Sequence, residues 1–158
     1  MIVKTRKYKI PNGTYIKLAL KNILREQWWV FLIALAIASG TFFIPTTLWF
    51  IIGAIIALLL YFLFWWIQFA GVTQLEQNKI LFEKLGYEID SRQVLIKVSS
   101  KQGMPLTWDK IKRASVGKDH FLLIVSKAQL IHLPFKIFNT DNERKFVESI
   151  LKRKGLIK

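Results

Sequence analysis

The chain contains no cysteine, which excludes disulfides, thiol nucleophiles and cysteine-ligated metals. A second absence is larger. From Gln27 to Leu75 there is no Asp, Glu, Lys or Arg in forty-nine consecutive positions. A bilayer core about 30 Å thick is crossed by about 20 apolar helical residues, so the run is too long for one straight span and suits two joined by a tight turn. Acidic residues are also scarce, 10 against 24 Lys and Arg, giving a net charge of +14. Such a balance points toward nucleic acid, an anionic membrane surface or an acidic protein.

The charge distribution separates these. Residues 1–26 hold seven Lys/Arg and one Glu, a net of +6, and residues 76–158 hold seventeen against nine, a net of +8. Basic residues flank both ends of the uncharged stretch and avoid its middle, which predicts both termini on the cytoplasmic side. That rule accounts for much of the charge without a polyanionic ligand, and no nucleic-acid recognition motif accompanies it.

Within the apolar stretch, Ile44-Pro45-Thr46-Thr47 follows Ser39-Gly40 and supplies the turn. The predicted spans are Trp28 to about Phe43 and about Leu48 to Phe69. Trp28, Trp29, Trp49, Trp65 and Trp66 mark their ends, as amphipathic rings do at the boundary between lipid and water. A soluble buried hairpin would need a larger partner layer than the chain supplies. Ala36-Ile37-Ala38-Ser39 resembles a signal-peptidase site, but the 26 residues before the apolar run make too long a basic region for a signal peptide. Ala34 with Ala38, and Gly53 with Ala57, place small residues four apart, where they let helices approach closely. Neither span carries an ionisable residue of the kind that lines proton or ion pathways, and two helices alone cannot enclose a pore.

The flanks divide the chain into 1–26, a basic strand and interfacial helix, 27–75, the membrane hairpin, and 76–158, a cytosolic domain. Residues 1–10 alternate loosely and suit a short strand, Pro11-Asn12-Gly13 a turn, and Thr14 a helix cap. Ile16, Ala19, Leu20 and Ile23 then form an apolar helical stripe beside Lys17, Lys21 and Arg25, the pattern of a helix in the headgroup region. A cytosolic extension of the first span is the plainer alternative.

Residues 73–85 read as a helix leaving the membrane, stopped at Gly86. Short strands are predicted at 94–98, 104–108, 111–116, 121–125 and 130–133, with turns at 100–103, 117–119 and 126–127. Thr140 and Glu143 form a capping box ahead of a helix with Phe146, Val147, Ile150 and Leu151 on one face and Gly155 at its stop. The predicted class is an α+β membrane protein, a transmembrane helical hairpin with a small antiparallel pleckstrin-homology-like half-barrel closed by a C-terminal helix.

Tyr87-Glu88-Ile89-Asp90, Leu106-Thr107-Trp108-Asp109-Lys110-Ile111, His132 to Phe138, and the helix through Lys145-Phe146 resemble the YcxB-like proteins of bacteria. The resemblance implies a pleckstrin-homology-like fold and membrane attachment and lends no catalytic residue or substrate. Trp108 and Ile111 look like core positions, and Leu133-Pro134-Phe135 marks a strand end.

No catalytic set can be assembled. His120 beside Asp119 reads as a turn residue and His132 as a strand residue at the core edge, neither with partners at metal-ligand spacing. No Gly-x-Ser-x-Gly or phosphate-binding glycine loop is present, and Ser99, Ser100 and Ser126 lie in turns. The expectation is a non-enzyme with no cofactor, metal or small-molecule substrate. Its expected partners are membrane lipids and a larger complex of the bacterial inner membrane, in which the hairpin packs on other helices and the cytosolic domain docks a partner. The rival expectation is an anionic-lipid binder acting through Lys4, Arg6, Lys7, Lys9, Lys17, Lys21 and Arg25, and through Lys110, Lys112 and Arg113.

Overall fold

The structure is a computed structural model and describes residues 1–44, 48–99 and 102–157. The chain forms two compact units: Met1–Tyr15 with Thr73–Lys158, and Ile16–Val72.

The apolar unit is built on helices. Helix α1 runs Asn12–Glu26, α2 runs Trp29–Ser39 and continues as a 3-10 turn at Gly40–Phe42, and α3 runs Trp49–Gln74. Helix α1 and the Trp29–Phe42 segment meet at a 66° bend. Three contacts lay residues 27–40 antiparallel along α3. Gln27 Oε1 accepts from Tyr61 Oη at 2.7 Å, the Phe31 and Phe62 rings lie 6.4 Å apart, and Gly40 lies against Phe50 so closely that a Cβ there would sit 2.9 Å from its ring. Of these helices, α3 alone is long and apolar enough to cross a membrane by itself; the bent pair supplies a second candidate taken together.

The other unit is antiparallel β. Strands β1 (Val3–Lys4), β2 (Gly86–Ile89), β3 (Gln93–Lys97) and β4 (Gly103–Thr107) form a four-stranded sheet in that order. Strands β5 (Arg113–Val116), β6 (His120–Ile124) and β7 (Leu130–Pro134) form a second sheet, and helix α4 (Asp141–Arg153) follows. The sheets remain two and do not close into a barrel. Alternation sends Val94 and Ile96 of β3, Phe121 and Leu123 of β6, and Ile131 and Leu133 of β7 into one core with Val147, Ile150 and Leu151 of α4. Trp108 and Ile111 are buried in it, and the Trp108 indole donates to the Asp90 carbonyl at 3.0 Å. Helix α4 opens with both halves of the Thr140/Glu143 capping box, and Gly155, at φ 69°, ends it in the left-handed conformation that suits glycine.

Four expectations change. Thr14 is not a cap, because the helix already starts at Asn12. The predicted helix over 73–85 is broken: α3 stops at Gln74, Leu75 turns extended at ψ 129°, and Glu76–Phe82 is a 3-10 stretch. Gly86 stops no helix; it opens β2, a strand the sequence reading passed over. His120 is the first residue of β6 rather than part of a turn. The proposed turn residues 45–47, and Ser100 with Lys101, lie outside the described residues.

The N-terminus belongs to the β unit. Val3 pairs with Ile89 and Lys4 with Glu88, the Arg6 amide donates to the Ile137 carbonyl at 2.8 Å, and Tyr8 bridges Leu85. Asn139 Nδ2 donates to the Lys4 carbonyl at 2.9 Å, and Tyr15 Oη donates to the Ala128 carbonyl at 2.6 Å. Residues 1–15 thus form a strap touching both sheets and the approach to α4.

Candidate functional site

The strap meets the second sheet at a cluster of polar side chains. Register places Leu122 opposite His132 and Pro134 opposite His120, so the two histidines are diagonal neighbours on one face. Their rings lie 4.6 Å apart. Tyr8 Oη of the strap is 3.2 Å from His132 Nδ1, and Asp119 Oδ1 is 2.8 Å from His120 Nδ1. Because a carboxylate only accepts, that contact assigns a proton to His120 Nδ1. Lys136 Nζ stands 5.8 Å from the centre of the Tyr8 ring. Gly117 completes the arrangement, since a Cβ there would fall 2.7 Å from His120 Cε1. Glycine keeps the ring's place open.

Burial dominates the electrostatics. It holds the His132 pKa down at about 4, with the neighbouring His120 and Lys136 acting the same way and Asp119 opposing. His132 is therefore neutral at pH 7. Burial likewise raises Tyr8, with Asp119 adding to it, and raises Tyr15 to about 12. The hydrogen bond from His120 lowers Asp119. The result is a short row, Asp119–His120–His132–Tyr8, hydrogen-bonded at both ends and joined in the middle by contact of the two imidazole rings. Among the described residues no three His, Cys, Asp or Glu gather as a metal site. Sequence reading missed the row because its members come from positions 8, 119, 120 and 132. The signal available was the matched register of two strands around a short turn.

The basic residues fall into separate settings. Lys4 lies 3.7 Å from Glu88, which also holds Lys97 at 2.7 Å, and Lys97 chiefly lowers the Glu88 pKa. Arg6 Nε reaches Asn139 Oδ1 at 3.4 Å. Lys7 and Lys9 are exposed on the strap, and Lys17, Lys21 and Arg25 on α1. Lys110 ends the 3-10 turn after β4, and Lys112 precedes β5 with its amide bonded to the Ile124 carbonyl. Lys112 and Arg113 are consecutive in extended backbone and so leave it in opposite directions.

In the apolar unit Trp28, Trp29, Trp49 and Trp66 are exposed, and Trp65 stacks on Phe69 at 5.5 Å. The small residues buried within the hairpin are Ala34 and Ala54; Ala38 is half-buried. Gly53 and Ala57 are exposed, with nothing within 4 Å of where a Gly53 Cβ would stand.

The strands from β3 to β7, the paired Trp108 and Ile111, and the capped helix α4 form one continuous stretch of sequence, and residues 89–151 match the family model for YcxB-like protein. That stretch is YcxB-like. The match starts at the last residue of β2 and ends within α4, so the YcxB-like segment excludes the strap and the hairpin. No curated protein and no solved structure matches the chain.

Proposed function

We propose that this chain is a non-enzymatic interaction subunit of a bacterial inner-membrane complex, its hairpin seated in the bilayer among partner helices and its pleckstrin-homology-like β unit docking a partner on the cytoplasmic side. One observation carries the reading: only 6% of the most apolar stretch of α3 is buried within the chain. Side chains such as Ile55, Leu59, Leu63 and Ile67 are half or more exposed. Water is a poor solvent for such a surface, whereas lipid or other helices suit it. The outward Gly53 and Ala57 leave α3 a face that another helix can approach closely. The basic flanks favour both termini on the cytoplasmic side.

The test is extraction from native membranes in mild detergent, followed by native mass spectrometry. A stoichiometric heavier complex, lost in Gly53→Leu or Ala57→Leu variants that still extract, supports the subunit. A lone chain carrying anionic lipid sinks it.

The second reading is a binder of anionic lipid headgroups, favoured by the exposed Lys110 and Lys112 beside Arg113. Each cation near an anionic leaflet contributes about 1 kcal/mol. It predicts that the triple charge reversal of these residues lowers the affinity of the full chain for anionic over neutral nanodiscs. An unchanged preference removes this reading.

A further inference from the structure

Helix α1 ends where the charge-free run begins, and its residues 16–26 divide into three faces. Ala19, Asn22 and Ile23 are buried. Lys17, Lys21 and Arg25 are exposed, and Ile16, Leu20 and Leu24, each one position before a cation, are half-buried. A step of four residues advances about 40° beyond a full turn, so each set of three follows a stripe within an arc of about 80°. The apolar stripe lies between the buried face and the cations.

The cations of this helix lack acids. In the β unit Lys4 and Lys97 share Glu88, Lys79 holds Glu76, Arg144 holds Asp141 and Lys152 holds Glu148. On α1 the first turn holds no acid. Its one carboxylate, Glu26, falls about 100° round the helix from Arg25 and away from the stripe. Like charges four apart on a helix repel each other, an arrangement that an anionic surface stabilises.

Position decides which surface. The Gln27 amide donates to the Ile23 carbonyl at 2.7 Å, carrying helical backbone just past Glu26. The Trp29–Phe42 segment then departs at 66°. A helix continuing straight along that uncharged arm would carry three cations into hydrocarbon. The bend avoids this, and an arm near the bilayer normal lays α1 closer to the membrane plane than to the normal. Trp28 and Trp29, 61% and 48% exposed, stand at the bend, where amphipathic rings favour the boundary between lipid and water.

We infer that α1 is an anionic-lipid site. Lys17, Lys21 and Arg25 take the phosphates of neighbouring headgroups, and Ile16, Leu20 and Leu24 lie against the upper acyl chains. The inference rests on the membrane placement proposed above and is independent of Lys110, Lys112 and Arg113. A free phosphate suits the stripe less well. The three cations are spread along about 12 Å of an open helix face, which matches a row of headgroups and encloses no single ion.

The test places the full chain in nanodiscs of equimolar phosphatidylglycerol and phosphatidylcholine. Native mass spectrometry then counts the lipids retained on it. The wild type should retain phosphatidylglycerol over phosphatidylcholine, and the triple variant Lys17→Gln, Lys21→Gln, Arg25→Gln should lower that preference about tenfold. The charge-keeping variant Lys17→Arg, Lys21→Arg, Arg25→Lys should retain it, and added salt should weaken it. The chain has no native cysteine, so a nitroxide on Leu20→Cys reports α1 alone. It should be shielded from a water-soluble relaxation agent and open to oxygen. This reading stands even if the glutamine variant does not fold.

No preference in the wild type, or an unchanged one in the glutamine variant, overturns the lipid site and leaves the membrane placement standing. A nitroxide fully open to the aqueous agent does the same. So does a preference lost on reversing Lys110, Lys112 and Arg113 but kept in the glutamine variant. A chain that does not enter nanodiscs at all overturns the membrane placement itself.

Discussion

Asn139, two residues before α4, donates its side-chain amide to the backbone carbonyl of Lys4 at 2.9 Å. The contact joins the strap to the loop opening the last helix, and with the pairing of Val3 to Ile89 it makes the first residues part of a sheet otherwise drawn from beyond the apolar stretch. The β unit is therefore discontinuous in sequence.

Val3 is fully buried although only two residues from the N-terminal end. Val3→Ala should destabilise the β unit by about 2 kcal/mol through lost burial. Chemical denaturation of the full chain in detergent checks this, and a change below about 0.5 kcal/mol would show that the strap contributes little. Residues 1–15 joined by a flexible linker to 73–158 should melt higher than 76–158 alone.

Trp108 is buried and its indole N–H reaches the Asp90 carbonyl. Trp108→Phe keeps most of the apolar contact and strands that carbonyl, which should cost about 1–3 kcal/mol. Trp108→Ala should cost about 3–5 kcal/mol. Similar melting temperatures for the two variants would show that the hydrogen bond, not the packing, dominates.

The His132 pKa of about 4 lies below its value of 6.5 in an unfolded chain. Between these values the unfolded state binds more protons, so stability is full above pH 6.5 and falls as the pH drops toward 4. His132→Asn should flatten that part of the stability profile. Gly117→Ala, which displaces the His120 ring, should raise the His132 midpoint measured by NMR. A His132 titrating near 6.5 in the native chain would contradict the burial argument.

Much of the β unit was legible because its signals are local. Short runs of strand-forming residues between turn signals marked β3 to β7, and the side chains of Thr140 and Glu143 reach only three residues, so the capping box could be read directly. The break at Leu75 was not legible: Leu75, Phe82 and Leu85 mimic a helical face, yet Phe82 and Leu85 are buried while Leu75 is exposed. Strand β2 was hidden because Gly86 reads as a helix stop when its partners β1 and β3 are not in view.

By itself the sequence determined the charge-free run, the basic flanks, the strand-rich second half and the capped last helix, because composition and short-range periodicity dictate them. Only the tertiary structure decided that residues 1–15 join the second half, that His120 meets His132, and that Gln27 meets Tyr61 across the hairpin. These depend on strand order, register and helix packing. Such relations are set by which distant surfaces bury each other, and no window of neighbouring residues contains them.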